Sequence, residues 1–215
     1  MQDGYLLVDK PAGISSFGVV ARVRGILSRR ADKKVKVGHT GTLDPFATGL
    51  MIIVVGKECK KAGEYSKLDK VYEASFLLGQ TSTTGDPEGE IINVSDKKPE
   101  IAEIKNVLER FVGDITQKPP IFSAIKINGQ RAYKLARQGG PIDMPSRQVK
   151  VYELELMNYD YPHLSVRAHV GSGTYIRSLA QDIGEELGTG AYCEALRRTK
   201  ISKWSVDSAQ TIEEL

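Results

Sequence analysis

The segment from Gly38 to Leu50, GHTGTLDPFATGL, holds the side chain best suited to chemistry, the carboxylate of Asp44. Glycines allow a backbone to approach a ligand closely, and Pro45 restricts the residue before it to extended conformations. A carboxylate fixed in this way suits a nucleophile or a general base, because either must be placed accurately. An Asx-type turn is the structural alternative, since Asp-Pro is common in turns. His39 lies in the same loop and could bond either the loop backbone or a ligand.

Two further groups of residues carry side chains suited to a ligand. Arg177 falls in the first turn of a predicted helix, where a cation opposes the helix dipole unless a carboxylate or a phosphate compensates it. Residues 118–150 contain seven Lys or Arg, some close to aromatic residues, and a single acid, Asp143. This pattern is typical of a nucleic-acid clamp. A surface helix whose long side chains cover apolar neighbours is the alternative.

The composition and the missing motifs exclude several classes of protein. The 215 residues carry a formal charge of +3 and are 40% hydrophobic, as is typical of a soluble globular domain. The longest apolar run, Leu50–Val55, is too short for a membrane span, and residues 1–7 do not resemble a signal peptide. We therefore expect a cytoplasmic protein without a membrane partner. The sequence has no Walker loop, no Gly-x-Ser-x-Gly elbow and no metal-spaced His pair, so we expect no metal site.

These side chains must be positioned by secondary-structure elements, and the pattern of predicted strands and helices indicates an α+β domain over residues 1–215. We expect a largely antiparallel mixed sheet flanked by helices. We expect strands over residues 5–9, 50–55, 71–78, 149–156 and 164–170. We expect helices over residues 15–28, 99–111, 131–138 and 176–187, the first capped by Ser15 or Ser16. Asn128-Gly129 predicts a hairpin turn.

Ordered motifs along the chain resemble those of the TruB family of pseudouridine synthases, which modify uridine 55 of tRNA. The similarity runs from about residue 4 to residue 204. The motifs that carry it are KPAGISS from Lys10, the Gly38–Leu50 segment, KVY from Lys70 with LGQ from Leu78, residues 119–139, GTYIRSL from Gly173, and LRRT from Leu196. The resemblance implies the pseudouridine synthase fold, with residues 118–150 inserted as a basic clamp on the T arm.

The resemblance also implies roles for individual residues. Asp44 would be the catalytic aspartate, and Arg177 would pair with it and keep it ionised. Tyr72 would stack on the target uracil and is the candidate for proton abstraction. The residues expected to bind the substrate are His39, Tyr175 and Leu196. The residues expected to bind RNA are Lys10, Lys126, Arg131, Lys134 and Arg137.

The implied reaction isomerises uridine 55 after the base has flipped out of the T loop, and it needs no cofactor. The implied partner is the T stem-loop of tRNA, and we expect a monomer without an obligatory protein partner. Many relatives continue into a C-terminal RNA-binding PUA domain, which we do not expect within residues 1–215. Ser15 stands where Thr is usual in the family. A catalytically silent RNA chaperone, or a hydrolase using Asp44 and His39, remains an alternative.

Overall fold

The computed structural model describes residues 3–123, 125–127, 129–136 and 143–215. The chain divides into two compact units, of which unit 1 comprises residues 1–73 and 196–215 and unit 2 comprises residues 74–195. The boundaries between the units fall within two strands, β4 (Lys70–Leu78) and β12 (Ala191–Ile201). The expectation of a single domain over residues 1–215 stays a prediction.

Unit 1 is built around a buried strand, β3 (Thr48–Val55), of which every residue after the first is buried. Strand β3 pairs antiparallel with β1 and β2 and parallel with β12. The other elements that lie wholly in this unit are β1 (Gly4–Lys10), α1 (Ser16–Ala31), β2 (Val37–His39), a 3₁₀ turn (Gly56–Lys61), α2 (Ala62–Ser66), β13 (Trp204–Ser205) and a second 3₁₀ turn (Val206–Ser208).

Helix α1 forms where its capping residue and apolar spacing predict it. The Ser15 hydroxyl caps the helix by accepting a hydrogen bond from the backbone N–H of Gly18. Val19, Val23 and Leu27 are buried and form the apolar stripe. The helix runs three residues beyond the predicted end at 28. Arg29 and Arg30 place cations in its last turn, where they stabilise the negative end of the helix dipole.

Strands β3 and β12 approach each other unusually closely at Gly49, which pairs with Arg198. Gly49 has a φ of +106°, and a Cβ added there would lie 2.3 Å from the carbonyl oxygen of Arg198. Only glycine fits both this backbone conformation and this space. The glycine therefore fixes the position of Arg198 beside the start of β3.

Unit 2 contains an antiparallel arrangement in which β10 (Arg147–Asp160) pairs with β7 (Gly113–Gln117) on one side and with β11 (His163–Val170) on the other. The predicted pairing of the strands near residues 149–156 and 164–170 is thus confirmed. The other elements that lie wholly in this unit are β5 (Gln80–Ser82), β6 (Ile91–Asn93), α3 (Ile101–Arg110), β8 (Lys126–Ile127), β9 (Gln130–Arg131), α4 (Ala132–Ala136) and α5 (Ile176–Glu186).

The hairpin predicted from Asn128-Gly129 is confirmed by the pairing of β8 with β9. Gly129 adopts a φ of +83°, which is the left-handed conformation that such a turn requires. Asn128 lies outside the described residues, as does the end of the basic helix predicted over residues 131–138.

The structure differs from the sequence analysis at one helix and one strand. Helix α3 begins at Ile101, later than the predicted start at residue 99, and Ile101 is 52% exposed, whereas Ile104, Val107 and Leu108 are buried. Strand β12 was not predicted, because Arg197, Arg198 and Lys200 interrupt its apolar residues and hide the alternation of a strand. In the part of the chain that the structure describes, no helix is both long enough and apolar enough to span a membrane.

We expect Gly49→Ala to lower the free energy of unfolding by about 2–4 kcal/mol, because the new Cβ meets the β12 backbone and the φ is unfavourable for alanine. Gly25→Ala is the matched control, since Gly25 lies within α1 and a Cβ there meets nothing within 4 Å. The control should raise stability by up to about 1 kcal/mol through helix propensity. Urea unfolding measures both changes, and equal stabilities for the two variants would contradict the close approach.

Candidate active site

Asp44 lies in the loop that connects β2 to β3, and its side chain is half-buried. The backbone N–H of Ala47 donates to the carbonyl oxygen of Asp44 at 3.2 Å, so the chain turns immediately after the carboxylate. The Asp-Pro sequence therefore forms a turn and also leaves its carboxylate at a fixed place in unit 1. An Asp-Pro turn and a carboxylate placed for chemistry are therefore compatible interpretations of this segment.

Ser16, the first residue of α1, holds the residue before Asp44. Its hydroxyl accepts a hydrogen bond from the N–H of Leu43 at 2.7 Å and donates to the carbonyl oxygen of the same residue at 2.8 Å. Ser16 is only 2% exposed, so these bonds form away from water, where an unsatisfied backbone group would be costly. The capped start of α1 is thereby joined to the loop.

Lys10, at the end of β1, holds the residue after Asp44. Its Nζ donates to the carbonyl oxygen of Pro45 at 3.1 Å, and the N–H of Gly13 donates to the same oxygen at 2.9 Å. Lys10 was predicted to bind RNA, but it is completely buried, and its ammonium group faces the loop backbone. The structure therefore places Lys10 where it positions the loop, and its binding to RNA stays a prediction.

Arg198, on β12, supports the loop on the other side. Its Nε donates to the carbonyl oxygen of Leu50 at 2.7 Å, and its Nη2 donates to that of Gly41 at 3.1 Å. Arg198 is 1% exposed. Two buried cations, Lys10 and Arg198, therefore hold carbonyl groups on either side of Asp44, and their positive charge favours an anion in this loop.

The other predicted site residues of unit 1 lie on three strands of that unit. His39 is the last residue of β2 and is half-buried. Tyr72, on β4, and Leu196, on β12, are each 8% exposed. Within unit 1, β12 and β4 are linked by a side-chain hydrogen bond. The Thr199 hydroxyl donates to the Val71 carbonyl oxygen at 3.3 Å. Tyr72 lies on the buried face of β4, which it shares with Ala74 and Phe76.

Arg177, in the first turn of α5, forms a buried ion pair within unit 2. Its Nη1 lies 2.8 Å from Oδ2 of Asp86, and the two side chains are 3% and 5% exposed. Nη1 also donates to the carbonyl oxygen of Thr84, and Nη2 donates to that of Phe122, each at 2.8 Å. The sequence analysis expected a carboxylate or a phosphate to compensate this arginine, and Asp86 is a carboxylate partner.

Asp86 was missed by the sequence analysis, although the sequence carried a signal for it. Like Asp44, it precedes a proline in a glycine-containing segment, TTGDPEG. The hydroxyl of Thr84 donates to Oδ1 of Asp86 at 2.5 Å, and the N–H of Glu88 donates to the same oxygen at 3.0 Å. The turn therefore fixes the Asp86 carboxylate, and this carboxylate fixes the guanidinium of Arg177.

Tyr175 lies just before α5 and is held by a buried glutamine. The Tyr175 N–H donates to Oε1 of Gln117 at 2.8 Å, and Nε2 of Gln117 donates to the Tyr175 carbonyl oxygen at 3.0 Å. The guanidinium carbon of Arg147 lies 5.0 Å from the centre of the Tyr175 ring, a cation–π contact. Gln117 therefore holds the backbone of Tyr175, and Arg147 contacts the face of its ring.

The remaining predictions about the site stay predictions. Asp44 and Arg177 belong to different units, each of which is described by itself. For Lys126, Arg131 and Lys134 the structure describes the backbone, and Arg137 lies outside the described residues. In the described ranges, no group of three or more His, Cys, Asp or Glu side chains could hold a metal ion.

Lys70 is a third buried cation of unit 1, 6% exposed, and lies two residues before Tyr72 on the same face of β4. Its Nζ donates to the carbonyl oxygen of Ser66 at 2.7 Å and to that of Leu68. Burial, and then repulsion by Arg198, lowers the pKa of Lys70 from 10.5 to about 8. Between those two pH values the unfolded chain binds more protons at this side chain than the folded chain does, so stability rises with pH.

We expect the stability of the wild-type protein, relative to Lys70→Met, to increase by up to about 3 kcal/mol between about pH 7 and pH 10. The gain follows from loss of the poorly solvated charge in the folded state. Urea unfolding of both proteins at each pH measures it. Lys67→Met, at an exposed position, is the control and should show no such pH dependence. A constant difference between wild type and Lys70→Met across this range would contradict the expectation.

We expect Asp86→Asn to lower the free energy of unfolding by about 3 kcal/mol, because it removes the anion that faces the buried Arg177 guanidinium. Asp114→Asn is the matched control. Asp114 also forms an ion pair, with Lys150 at 3.0 Å, but its side chain is 72% exposed. That pair should contribute less than about 1 kcal/mol. Similar losses for the two variants in thermal or urea unfolding would show that the Arg177 pair is not specially stabilising.

Comparison with protein families gives two adjoining matches along the chain. A model described as the TruB family pseudouridylate synthase N-terminal domain matches residues 29–176. A model described as the tRNA pseudouridylate synthase B C-terminal domain matches residues 177–215. Together they cover the Asp44 loop, the Asp86 turn and α5.

Curated relatives are similar over nearly all of the chain. A protein named tRNA pseudouridine synthase B from Thermobifida fusca is 42% identical over 227 residues, which cover 100% of this chain and 75% of the relative. A protein of the same name from Endomicrobium trichonymphae is 42% identical over 208 residues, covering 96% of this chain and 88% of the relative.

Solved structures share the fold. A chain of a Cbf5-Nop10-Gar1 complex has a TM-score of 0.76 and 29% identity, covering 99% of this chain and 53% of the solved one. A chain of an H/ACA RNP bound to a substrate RNA containing 2′-deoxyuridine has a TM-score of 0.73 and 27% identity, with 99% and 52% coverage. This chain spans about half the length of those solved chains. The predicted α+β pseudouridine synthase fold is thus confirmed, and the chain belongs to the TruB family of pseudouridine synthases.

Proposed function

We propose that this protein isomerises uridine 55 in the T loop of tRNA to pseudouridine, with Asp44 as the essential carboxylate and without a cofactor. The shared name of the relatives, tRNA pseudouridine synthase B, supports a tRNA substrate. The observation that carries the proposal is the Asp44 loop, held through its backbone by Lys10, Ser16 and Arg198 in a chain of this family. We expect the enzyme to act in the cytoplasm as a monomer, without an obligatory protein partner.

The reaction rearranges the nucleoside without a net gain or loss of atoms. The bond between N1 of uracil and C1′ of ribose breaks, the base rotates, and C5 of uracil bonds to C1′. C5 then loses a proton and N1 carries one, so substrate and product are isomers. A side chain that assists bond exchange at the sugar or the base, and a base that removes the C5 proton, account for the chemistry.

Asp44 is the residue to which we assign the bond exchange. Its loop is anchored before it through Gly41 and Leu43, and after it through Pro45. A carboxylate held by its own backbone loses little conformational freedom when substrate arrives, which lowers the barrier to an oriented attack. The carboxylate can act on C1′ of the ribose or on the uracil ring, and both routes fit this placement.

Tyr72 and Arg177 are assigned supporting roles. The buried phenol of Tyr72 suits stacking against a flat pyrimidine and removal of the C5 proton. Arg177 is assigned to pair with Asp44 and keep it ionised when the substrate is bound. Its guanidinium is oriented in advance by Asp86, which supports a role that depends on fixed geometry. His39, Tyr175 and Leu196 are assigned to contact the flipped nucleoside.

The target base must leave its stacked loop before it can reach these residues, at a cost of a few kcal/mol. Cations of the clamp, Lys126, Arg131, Lys134 and Arg137, are assigned to the RNA backbone, where their contacts offset that cost. Binding through phosphates releases counterions, so the affinity for tRNA should fall as salt increases.

We expect Asp44→Asn to reduce pseudouridine formation by about 10³-fold or more, because an amide can act neither as a nucleophile nor as a base. The measurement is the release of tritium from unmodified tRNA labelled at uracil C5, with sequencing of the product to locate the modified nucleotide. Asp114→Asn, an exposed carboxylate of unit 2, is the control and should retain full activity.

Three outcomes would contradict the proposal in different ways. Undiminished label release by Asp44→Asn would remove Asp44 from its role. Tight binding of tRNA by the wild-type protein with no label release would favour an RNA chaperone. Free uracil in the reaction would indicate a hydrolase, and modification at another nucleotide would change the assigned position.

A further inference from the structure

Ser123 carries a buried hydroxyl that the assigned chemistry does not use. The residue is 5% exposed, and among the described residues no group forms a hydrogen bond with its Oγ. Leaving a buried hydroxyl unsatisfied costs about 1–3 kcal/mol, so native proteins keep few such groups. A hydroxyl of this kind is explained if its partner arrives with a ligand.

The surroundings of Ser123 point to the substrate. The preceding residue, Phe122, accepts a hydrogen bond from Nη2 of Arg177 at 2.8 Å through its carbonyl oxygen. Ser123 is therefore one residue away from the guanidinium that Asp86 orients. It also lies near the start of the basic segment 118–150, just before β8 begins at Lys126.

The opposite end of the same basic segment shows the same feature. Arg147, the first residue of β10, contacts the ring of Tyr175 and donates through Nη2 to the carbonyl oxygen of Gly173. Its Nε is buried, and no partner for it is found among the described residues. Both ends of the segment thus contact residues 173–177, and each has a buried polar atom for which the described residues supply no partner.

We propose that Ser123 is a substrate-binding residue whose hydroxyl forms a hydrogen bond with the bound RNA at the start of the clamp. This inference rests on the proposed function and adds to it a contact outside the set assigned above. Arg147 Nε is a second donor of the same kind at the far end of the segment. A hydrogen bond with the RNA satisfies each of these two atoms, for which the described residues supply no partner.

The test compares Ser123→Ala with Ser178→Ala. Ser178 is a matched control, because it is also buried, at 3% exposed, but its hydroxyl donates to the carbonyl oxygen of Lys118 at 2.8 Å. Thermal unfolding of the RNA-free proteins should show Ser178→Ala melting below wild type and Ser123→Ala melting at or above it. Only the control loses a hydrogen bond that exists without RNA.

Affinity is measured with a fluorescein-labelled T stem-loop RNA, in an Asp44→Asn background so that the RNA stays unmodified. We expect Ser123→Ala to raise the Kd about three- to tenfold, the range for loss of one neutral hydrogen bond. With Asp44 restored, label release at RNA concentrations below the Kd should fall by about the same factor, since the contact contributes to binding.

Two results would overturn the inference. An unchanged Kd would mean that the RNA does not contact the hydroxyl. A melting temperature lowered as far as in Ser178→Ala would mean that the hydroxyl has its partner in the free protein. Label release by the wild-type enzyme tests the proposed function separately, so its absence would be distinguishable from a failure of the Ser123 contact alone.

Discussion

The position of the Asp44 carboxylate depends on hydrogen bonds that buried side chains make to the backbone around it. Lys10 and Arg198 donate to loop carbonyl oxygens, and Ser16 bonds both polar groups of Leu43. Because these bonds involve main-chain atoms, they fix the loop without occupying the carboxylate. Three elements of unit 1 contribute to this arrangement, since β1, α1 and β12 each carry one of the three side chains.

A similar logic holds in unit 2, where the fixed group is a cation. Asp86 and two carbonyl oxygens surround the guanidinium of Arg177, and the Asp86 turn is itself held by Thr84 and Glu88. Burial makes such an arrangement demanding, because a charge removed from water needs nearly all of its partners in place. Rigid placement of charged groups is what catalysis by orientation requires.

The local structure was largely predictable from the sequence, and the partners of the charged residues were not. Helix α1 followed from its cap and apolar spacing, and the need for a carboxylate or a phosphate near Arg177 followed from the helix dipole. The identity of that carboxylate did not, because Asp86 precedes Arg177 by 91 residues. Lys10 was expected from the family resemblance to bind RNA, and only the three-dimensional arrangement shows the carbonyl groups that make its burial possible.

The order in which the chain is made gives the Arg198 contact a consequence for biosynthesis. Arg198 and its loop partner Gly41 are 157 residues apart. A ribosome adds residues at about 5–20 per second, so roughly 8 to 30 seconds separate the appearance of the two. A nascent chain that already contains Asp44, His39 and Tyr72 still lacks the strand that holds the carboxylate in place. Translation must therefore pass residue 198 before the loop can take its working shape, and under the proposed function a chain that stops before Arg198 would be inactive toward RNA.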